Sequence, residues 1–339
     1  MDIKRTYVLG PCAAESREQV METAKAICDL RSQIADFQFI FRAGVWKPRT
    51  RPDSFQGAGE AALGWLEEVK ERFGIAVATE VATPEHVVAA LKAGIDYLWI
   101  GARTAANPMA VQALAESLNN PSNRNHLKGI LIKNPVNADA DLWLGNIARL
   151  EKTGMDVIAV HRGCGHKPCW FMAHKVRLAR PDIPMLLDPS HMSGDAAQVP
   201  ELMSKIDELG LDGAMIEVHC HPCEALSDSK QQIRPQELSN LIHPNTPNRP
   251  NTELNWLRAE IDELDETLWD TLAARMEVSQ RIGEWKKAHD VSPLQQARYE
   301  QIVEKLKEKG ERFKEAGLST DFILRIWDLI HEQSLRQQE

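Results

Sequence analysis

No stretch of this chain carries more than two adjacent lysines or arginines, and its formal net charge is −9. That excludes a general nucleic-acid binder, which needs a basic patch to meet phosphates. Long apolar runs are also missing: between Met1 and Cys12 the longest is four residues, so neither a secretory leader nor a membrane anchor is expected there. There is no short-period repeat, and no glycine-rich dinucleotide fingerprint follows the first apolar run. Six cysteines in a chain without a leader point to reduced thiols in a cytoplasmic setting rather than a disulfide framework.

What is present divides the chain. A length of 339 residues with 43% hydrophobic content suits one large and one small domain. The joint is the segment His243–Thr252, HPNTPNRPNT, whose prolines and asparagines suit a short, fairly stiff linker. Before it, short β-rich runs alternate with amphipathic stretches; after it, only helical patterns remain.

Eight strands are predicted: Tyr7–Gly10, Phe39–Ala43, Ile75–Glu80, Tyr97–Gly101, Gly129–Lys133, Val157–His161, Met185–Asp188 and Ala214–Val218. Stretches such as Arg17–Gln33, Gly57–Arg72, Glu85–Ala93 and Asp139–Thr153 supply helices between them. Eight β–α units over about 240 residues predict a (β/α)8 barrel. Nearly every strand ends in a reactive or charged group: Cys12, Arg42 with Lys47, Glu80, Arg103, Lys133, Arg162, Asp188 with His191, and Glu217. In a barrel those ends share one face, where active sites are built. Cations gathered there repel one another unless phosphate or carboxylate joins them, so phosphorylated, acidic small molecules are the expected ligands. On the same face Cys12, His191, Glu217 and Asp228 make a mixed donor set suited to Mn²⁺, Fe²⁺, Co²⁺ or Zn²⁺.

The ordered motifs Gly10-Pro11-Cys12-Ala13, Lys47-Pro48-Arg49-Thr50, Ile100-Gly101-Ala102-Arg103, Asp188-Pro189-Ser190-His191, Glu217-Val218-His219 and Leu226-Ser227-Asp228 resemble the type Iβ 3-deoxy-D-arabino-heptulosonate 7-phosphate (DAHP) synthases. The resemblance spans residues 3–242. It implies a divalent metal, Mn²⁺ first, on Cys12, His191, Glu217 and Asp228. It implies phosphoenolpyruvate at Arg42, Lys47, Arg103, Lys133 and Arg162, and erythrose 4-phosphate at Lys47, Arg49 and Thr50. Glu80 matches a position associated with the attacking water. The related 3-deoxy-octulosonate 8-phosphate synthases typically carry Asn-Arg where this chain has Pro48-Arg49, which favours the DAHP reaction, the entry to the shikimate pathway and aromatic amino-acid biosynthesis.

Two segments stand outside that set. Cys164-Gly-His166-Lys-Pro-Cys169 and His219-Cys220-His221-Pro-Cys223 are rich in thiol and imidazole, and such pairs can hold a structural zinc. Both follow barrel strands, with strand seven between them; loop composition or a redox-sensitive pair is the alternative.

Beyond the linker three helices are predicted, a long one from Glu253 to about Lys287, then Ala297–Phe313, then one from Thr320. At about 100° per residue, Leu257, Ile261, Leu264, Leu268 and Ser279 to Ile282 mark one face of the first. Arg275 and Lys286 fall on the centre of that face and Arg258 at its edge. An unpaired buried cation costs several kcal/mol, so an acidic partner or an anionic ligand is expected there. A coiled-coil dimerisation stripe is the plainer reading, though several cations suit it poorly.

The spacing of positions 258, 275, 286, 298 and 338, with Ser334, resembles helical chorismate mutases of the AroQ class. That likeness implies Arg258, Arg275 and Arg298 on the carboxylates of chorismate, and Lys286 and Gln338 on its ether oxygen. Tyr299 replaces the usual Glu after the second-helix Arg. The domains would be residues 1–243, a linker 244–252, and an all-α domain 253–339. The likeness also implies a homodimer or higher homo-oligomer. With only nine residues before Gly10 to hold a regulatory extension, the mutase domain is the expected sensor, with prephenate its effector.

Overall fold

The structure, a computed structural model, describes residues 5–31, 37–48, 53–119, 126–242 and 252–338. The linker segment 243–251, and with it most of the predicted joint, lies outside them. Two compact units make up the chain, Met1–Glu260 and Ile261–Glu339.

The first unit is a closed parallel barrel in the order β1 to β8: Thr6–Gly10, Gln38–Arg42, Ala76–Val81, Tyr97–Ile100, Gly129–Lys133, Val157–His161, Met185–Leu187 and Gly213–Glu217. All eight predicted strands are present, with ends shifted by about a residue. Helices follow where the amphipathic stretches predict them, including Arg17–Arg31, Ala61–Phe73, Pro84–Lys92 and Ala140–Glu151. The second of these starts later than the sequence suggests, because Gly57 and Gly59 adopt φ +90° and +69°, outside the helical range.

Strand periodicity sorts the side chains into two cores. Val8, Ile40, Ala78, Trp99, Leu131, Val160, Leu186 and Met215 fill the barrel interior. Their neighbours, such as Leu9, Phe41, Leu98, Ile132, Ala159 and Ile216, pack outward against the helices. Because side chains alternate with period two, the next inward positions toward the carboxyl ends are Arg42, Glu80, Lys133, Arg162, Asp188 and Glu217. One alternation therefore supplies both the apolar plug and the polar face above it.

The long helix Thr252–Ala288 begins within the first unit. Trp256 is 3% exposed, sits edge-on to Trp170 (centroids 6.1 Å) and stacks on His174 (5.3 Å). His174 Nδ1 also pairs with Glu260, and Asn255 Nδ2 donates to the Glu208 carbonyl at 3.0 Å. Burying an indole of this size is worth about 5 kcal/mol as an upper bound, enough to fasten those first turns.

The second unit holds the rest of that helix with helices Gln296–Phe313 and Thr320–Gln338. Gly317, at φ +79°, ends the single 3-10 turn between the last two helices. Among the described residues from Ile261 onward, only Ser279, Gly283, Gly310 and Ser334 are buried. Trp269, Leu264, Leu268, Trp285 and Leu329 are each more than half exposed.

Candidate active sites

The carboxyl ends of the strands surround a cavity of about 310 Å³ lined by Lys47, Pro48, Glu80, Gly101, Arg103, Lys133, Arg162, His166, His191, Asp228 and Gln231, among others. Arg49 and Thr50 lie outside the described residues. Arg42 lies beneath the cavity rather than on its wall. It is fully buried, with Nη2 3.1 Å from Glu217 Oε1 and its guanidinium 4.7 Å from the Trp99 ring. Its Nε and Nη1 meet no acceptor among the described residues.

Ion pairs hold the remaining groups. Lys47 Nζ is 3.0 Å from Glu80 Oε2, and Lys133 Nζ is 2.6 Å from Asp188 Oδ2. The Glu80 carboxylate lies where a side chain at position 101 would be: a Cβ on Gly101 would come within 2.1 Å of Oε1, so any larger residue there would displace the carboxylate. Burial works against the charge on Glu80, but Lys47 and Lys133 outweigh it and hold its carboxyl below the ordinary range. Asp188 is held well below its ordinary value in the same way: burial opposes, while His191 and Lys133 prevail. Burial lowers Lys133, with Asp188 counteracting. Arg162 is fixed through its backbone, whose N–H donates to Asn134 Oδ1 at 2.7 Å, and its Nη2 donates to the His191 carbonyl at 3.3 Å.

The thiol, imidazole and carboxylates converge beside the cations. Cys12 Sγ, an Asp228 oxygen and a Glu217 oxygen lie within 4.8 Å of one another, and Cys12 Sγ donates to Asp228 Oδ2 at 2.9 Å. His191 Nε2 is 3.5 Å from Glu217 Oε1, while its Nδ1 stands 3.1 Å from Asp188 Oδ1. Asp228 reaches inward from a left-handed backbone, φ +49°, which aspartate tolerates better than most residues. Burial, reinforced by Glu217, pushes the Cys12 thiol up. A divalent ion fits this set: it would neutralise the crowded carboxylates and take the thiol as thiolate, and the second nitrogen of the imidazole is already oriented by a carboxylate.

Two contributors carry no sequence signal. Trp99 sits within an apolar strand yet lies 4.7 Å from Arg42 and 6.0 Å from Lys47. Gln231 Nε2 donates to Glu217 Oε2 at 2.7 Å, leaving Glu217 with a fixed orientation. Asp188, by contrast, is already marked by the sequence as a strand-end group, and it orients both Lys133 and His191.

In the second unit Arg275 Nη1 donates to Ser334 Oγ, and its guanidinium lies 5.1 Å from the Trp327 ring. Lys286 Nζ donates to Gln338 Oε1 at 2.8 Å and to the Pro293 carbonyl at 2.6 Å. Gly283 allows that approach, since a Cβ there would lie 2.6 Å from Gln338 Cα. Among the described residues neither cation has a carboxylate within 4.0 Å. Burial lowers both pKa values. Arg298 is exposed. Tyr299 donates to Asp328 Oδ1 at 2.7 Å and packs on His331; these three, with Leu294, Gln296, Glu332 and Leu335, line a hollow of about 320 Å³ that includes neither Arg275 nor Lys286. Arg258 is exposed and belongs to the first unit, before the division after Glu260.

A parallel barrel that gathers cations, carboxylates and a thiol at its carboxyl face has the layout of the barrel enzymes, whose active sites are built on that face. Residues 2–246 match the model of the DAHP synthetase I family, and the chain belongs to that family. Residues 257–339 match the model of chorismate mutase type II, so the two domain types are joined in one chain. Among similar proteins, the phospho-2-dehydro-3-deoxyheptonate aldolase of Thermotoga maritima is 32% identical over 235 residues, 67% of this chain and 65% of the relative. The chain thus spans just under two thirds of that relative's length. A crystal structure of the Thermotoga maritima enzyme superposes with a TM-score of 0.60 at 28% identity, covering 71% of this chain and 68% of the other. The 2-dehydro-3-deoxyphosphooctonate aldolase of Wolinella succinogenes is 27% identical over 263 residues, 70% of this chain and 96% of the relative. Among the described residues, no helix is long and apolar enough to cross a membrane.

Proposed function

We propose that the barrel, residues 1–243, condenses phosphoenolpyruvate with erythrose 4-phosphate to give DAHP and inorganic phosphate. The observation that carries this reading is the cavity walled by Lys47, Arg103, Lys133 and Arg162, with buried carboxylates behind them. Cations so placed bind a phosphate and a carboxylate together and hold carbon 3 of the enol against the aldehyde. Arg103 and Arg162 are assigned to the phosphate of phosphoenolpyruvate, and Lys133 to its carboxylate with Arg42 beneath. Lys47, with Arg49 and Thr50, is assigned to the aldose phosphate. Glu80, ionised and held by Lys47, accepts a hydrogen bond from the water that adds at carbon 2 and takes its proton. A divalent ion on Cys12, His191, Glu217 and Asp228, Mn²⁺ first among Mn²⁺, Fe²⁺, Co²⁺ and Zn²⁺, supplies Lewis acidity toward the aldehyde oxygen when bound. The soluble phosphorylated substrates assign the reaction to the cytoplasm.

Relatives of both the heptonate and octonate type resemble this chain, so the aldose decides the matter. Lys47-Pro48-Arg49-Thr50 supports the four-carbon sugar. With phosphoenolpyruvate in excess, phosphate release is expected with erythrose 4-phosphate and to be at least about tenfold slower with arabinose 5-phosphate, the preference a few contacts can give. Faster release with the five-carbon sugar would transfer the chain to the octonate reaction.

We further propose that residues 253–339, joined through 244–252, rearrange chorismate to prephenate. The supporting observation is a pair of partly buried cations, Arg275 and Lys286, whose polar contacts are all neutral. Arg258, Arg275 and Arg298 are assigned to the two carboxylates, with Ser334 positioning Arg275. Lys286 and Gln338 donate to the ether oxygen as its charge grows. Tyr299 is engaged by Asp328, so it stands in for the usual Glu only by releasing that bond. The same site offers prephenate, the product, a place from which to inhibit the synthase. A mutase-like sensor without turnover is the second reading, and a chorismate assay on the full chain separates the two.

The unit also needs a partner. With no apolar side chain buried among its described residues from Ile261 onward, and Leu264, Leu268, Trp269 and Trp285 exposed, a single copy has no core. A homodimer or higher homo-oligomer through this helix covers that surface. Light scattering of the full chain should give at least twice the 38.1 kDa of one chain. A monomeric mass at micromolar concentration would remove the reading.

A further inference from the structure

The loop after β8 carries a second group of metal-type donors, away from the barrel set. Cys220 Sγ, a His221 ring nitrogen and a Glu22 carboxylate oxygen all lie within 4.8 Å of one another, and His221 Nε2 is 3.3 Å from Glu22 Oε1. Cys220 is half-buried and the other two are exposed, so an ion could enter directly from solvent. The loop is held in place independently of this cluster. Cys220 N donates to Thr23 Oγ1 at 3.4 Å, His221 N donates to His219 Nδ1 at 2.9 Å, and Leu226 N donates to Glu15 Oε1 at 2.9 Å. The three donors are therefore presented by a fixed loop and one turn of the helix Arg17–Arg31, not by a free tail.

We propose that Glu22, Cys220 and His221 form a second divalent-metal site whose fitting ion is Zn²⁺. A thiolate, an imidazole and a carboxylate together favour a borderline ion over Mg²⁺ or Ca²⁺, which take oxygen donors. Three protein donors leave the fourth tetrahedral position to water. Cys164 and Cys169 take no part; among the described residues no metal-type cluster joins them to the loop after β8. The position gives the site a consequence. Cys220 and His221 lie between Glu217 and Asp228, two members of the barrel donor set. An ion on Glu22 ties that loop to the first helix and so adds stability to the folded chain, while the loop's own hydrogen bonds keep it in place when the ion is absent.

The inference rests in part on the reading of the barrel donors as a metal set, and the test separates the two. The full chain is stripped with chelator, loaded with Zn²⁺, desalted, and its bound zinc counted. Two equivalents are expected for the wild type, one for the Glu22→Gln/His221→Asn double variant, and one for Cys12→Ser. The double variant changes only exposed side chains and should keep its condensation activity, which reports an intact barrel. Its melting temperature should no longer rise when Zn²⁺ is added at one equivalent beyond the barrel's. A wild-type count of one that falls to none in the double variant still supports this site and overturns the barrel reading instead. Equal counts in the wild type and the double variant overturn the proposal.

Discussion

Replacing Cys12 by alanine is expected to lower the condensation rate by about three orders of magnitude, the share that metal-assisted charge stabilisation of several kcal/mol represents. The chorismate rearrangement in the same preparation should be unchanged. The thiol is fully buried, 2.9 Å from Asp228 Oδ2, and is the only soft donor of its set. Without it, His191, Glu217 and Asp228 leave an oxygen-rich site with weaker hold on a borderline ion. Chelation of the wild type should reproduce the effect, and Mn²⁺ should then restore the wild type but not the variant. The small side chain lost here leaves the barrel's apolar plug untouched, so misfolding is a poor alternative, and an unchanged melting transition of the metal-free barrel would exclude it. A variant that condensed the two substrates at the wild-type rate would show that Cys12 holds nothing catalysis needs.

The contrast between what could and could not be read from the sequence has a physical cause. Strand alternation and helix periodicity are local, so the eight strands and the three C-terminal helices were legible to within a few residues. Strand-end chemistry was legible for the same reason: parity along each strand carries Arg42, Lys133 and Glu217 inward above Ile40, Leu131 and Met215. Contacts made by closing the barrel leave no such trace. Trp99 reads as core and is core, yet it also supports two cations. The sequence offers the segments Cys164–Cys169 and His219–Cys223 as a possible zinc pair, whereas β8 pairs with β1 and places the loop after β8 beside the first helix. Glu22, about 200 residues away in sequence, looked like one surface acid among many. The charged stripe is visible on the helix Thr252–Ala288, but not that, among the described residues, Arg275 and Lys286 meet serine, glutamine, a backbone carbonyl and the Trp327 ring rather than a carboxylate.

That neutral company makes Arg275→Ala the most informative change in the second unit. Mutase kcat/KM is expected to fall by about 10²–10³-fold, as when one fixed donor to a developing or bound anion is removed. Helix content should be preserved. The guanidinium has no carboxylate partner among the described residues, and burial already lowers its pKa, so the free protein gives up little and can gain stability when the cation goes. Loss of helical circular dichroism would point instead to a structural role for the bond to Ser334. The same variant tests control of the barrel. If prephenate inhibits condensation by occupying this site, the wild type slows when prephenate is added and Arg275→Ala does not, although its uninhibited condensation rate is normal. Linkage adds a second measurement, since phosphoenolpyruvate bound in the barrel must change prephenate affinity by the factor that prephenate changes the affinity for phosphoenolpyruvate. Equal inhibition of the wild type and the variant would place the inhibitor at the barrel, where a dicarboxylate can compete with phosphoenolpyruvate for Lys133 and Arg162.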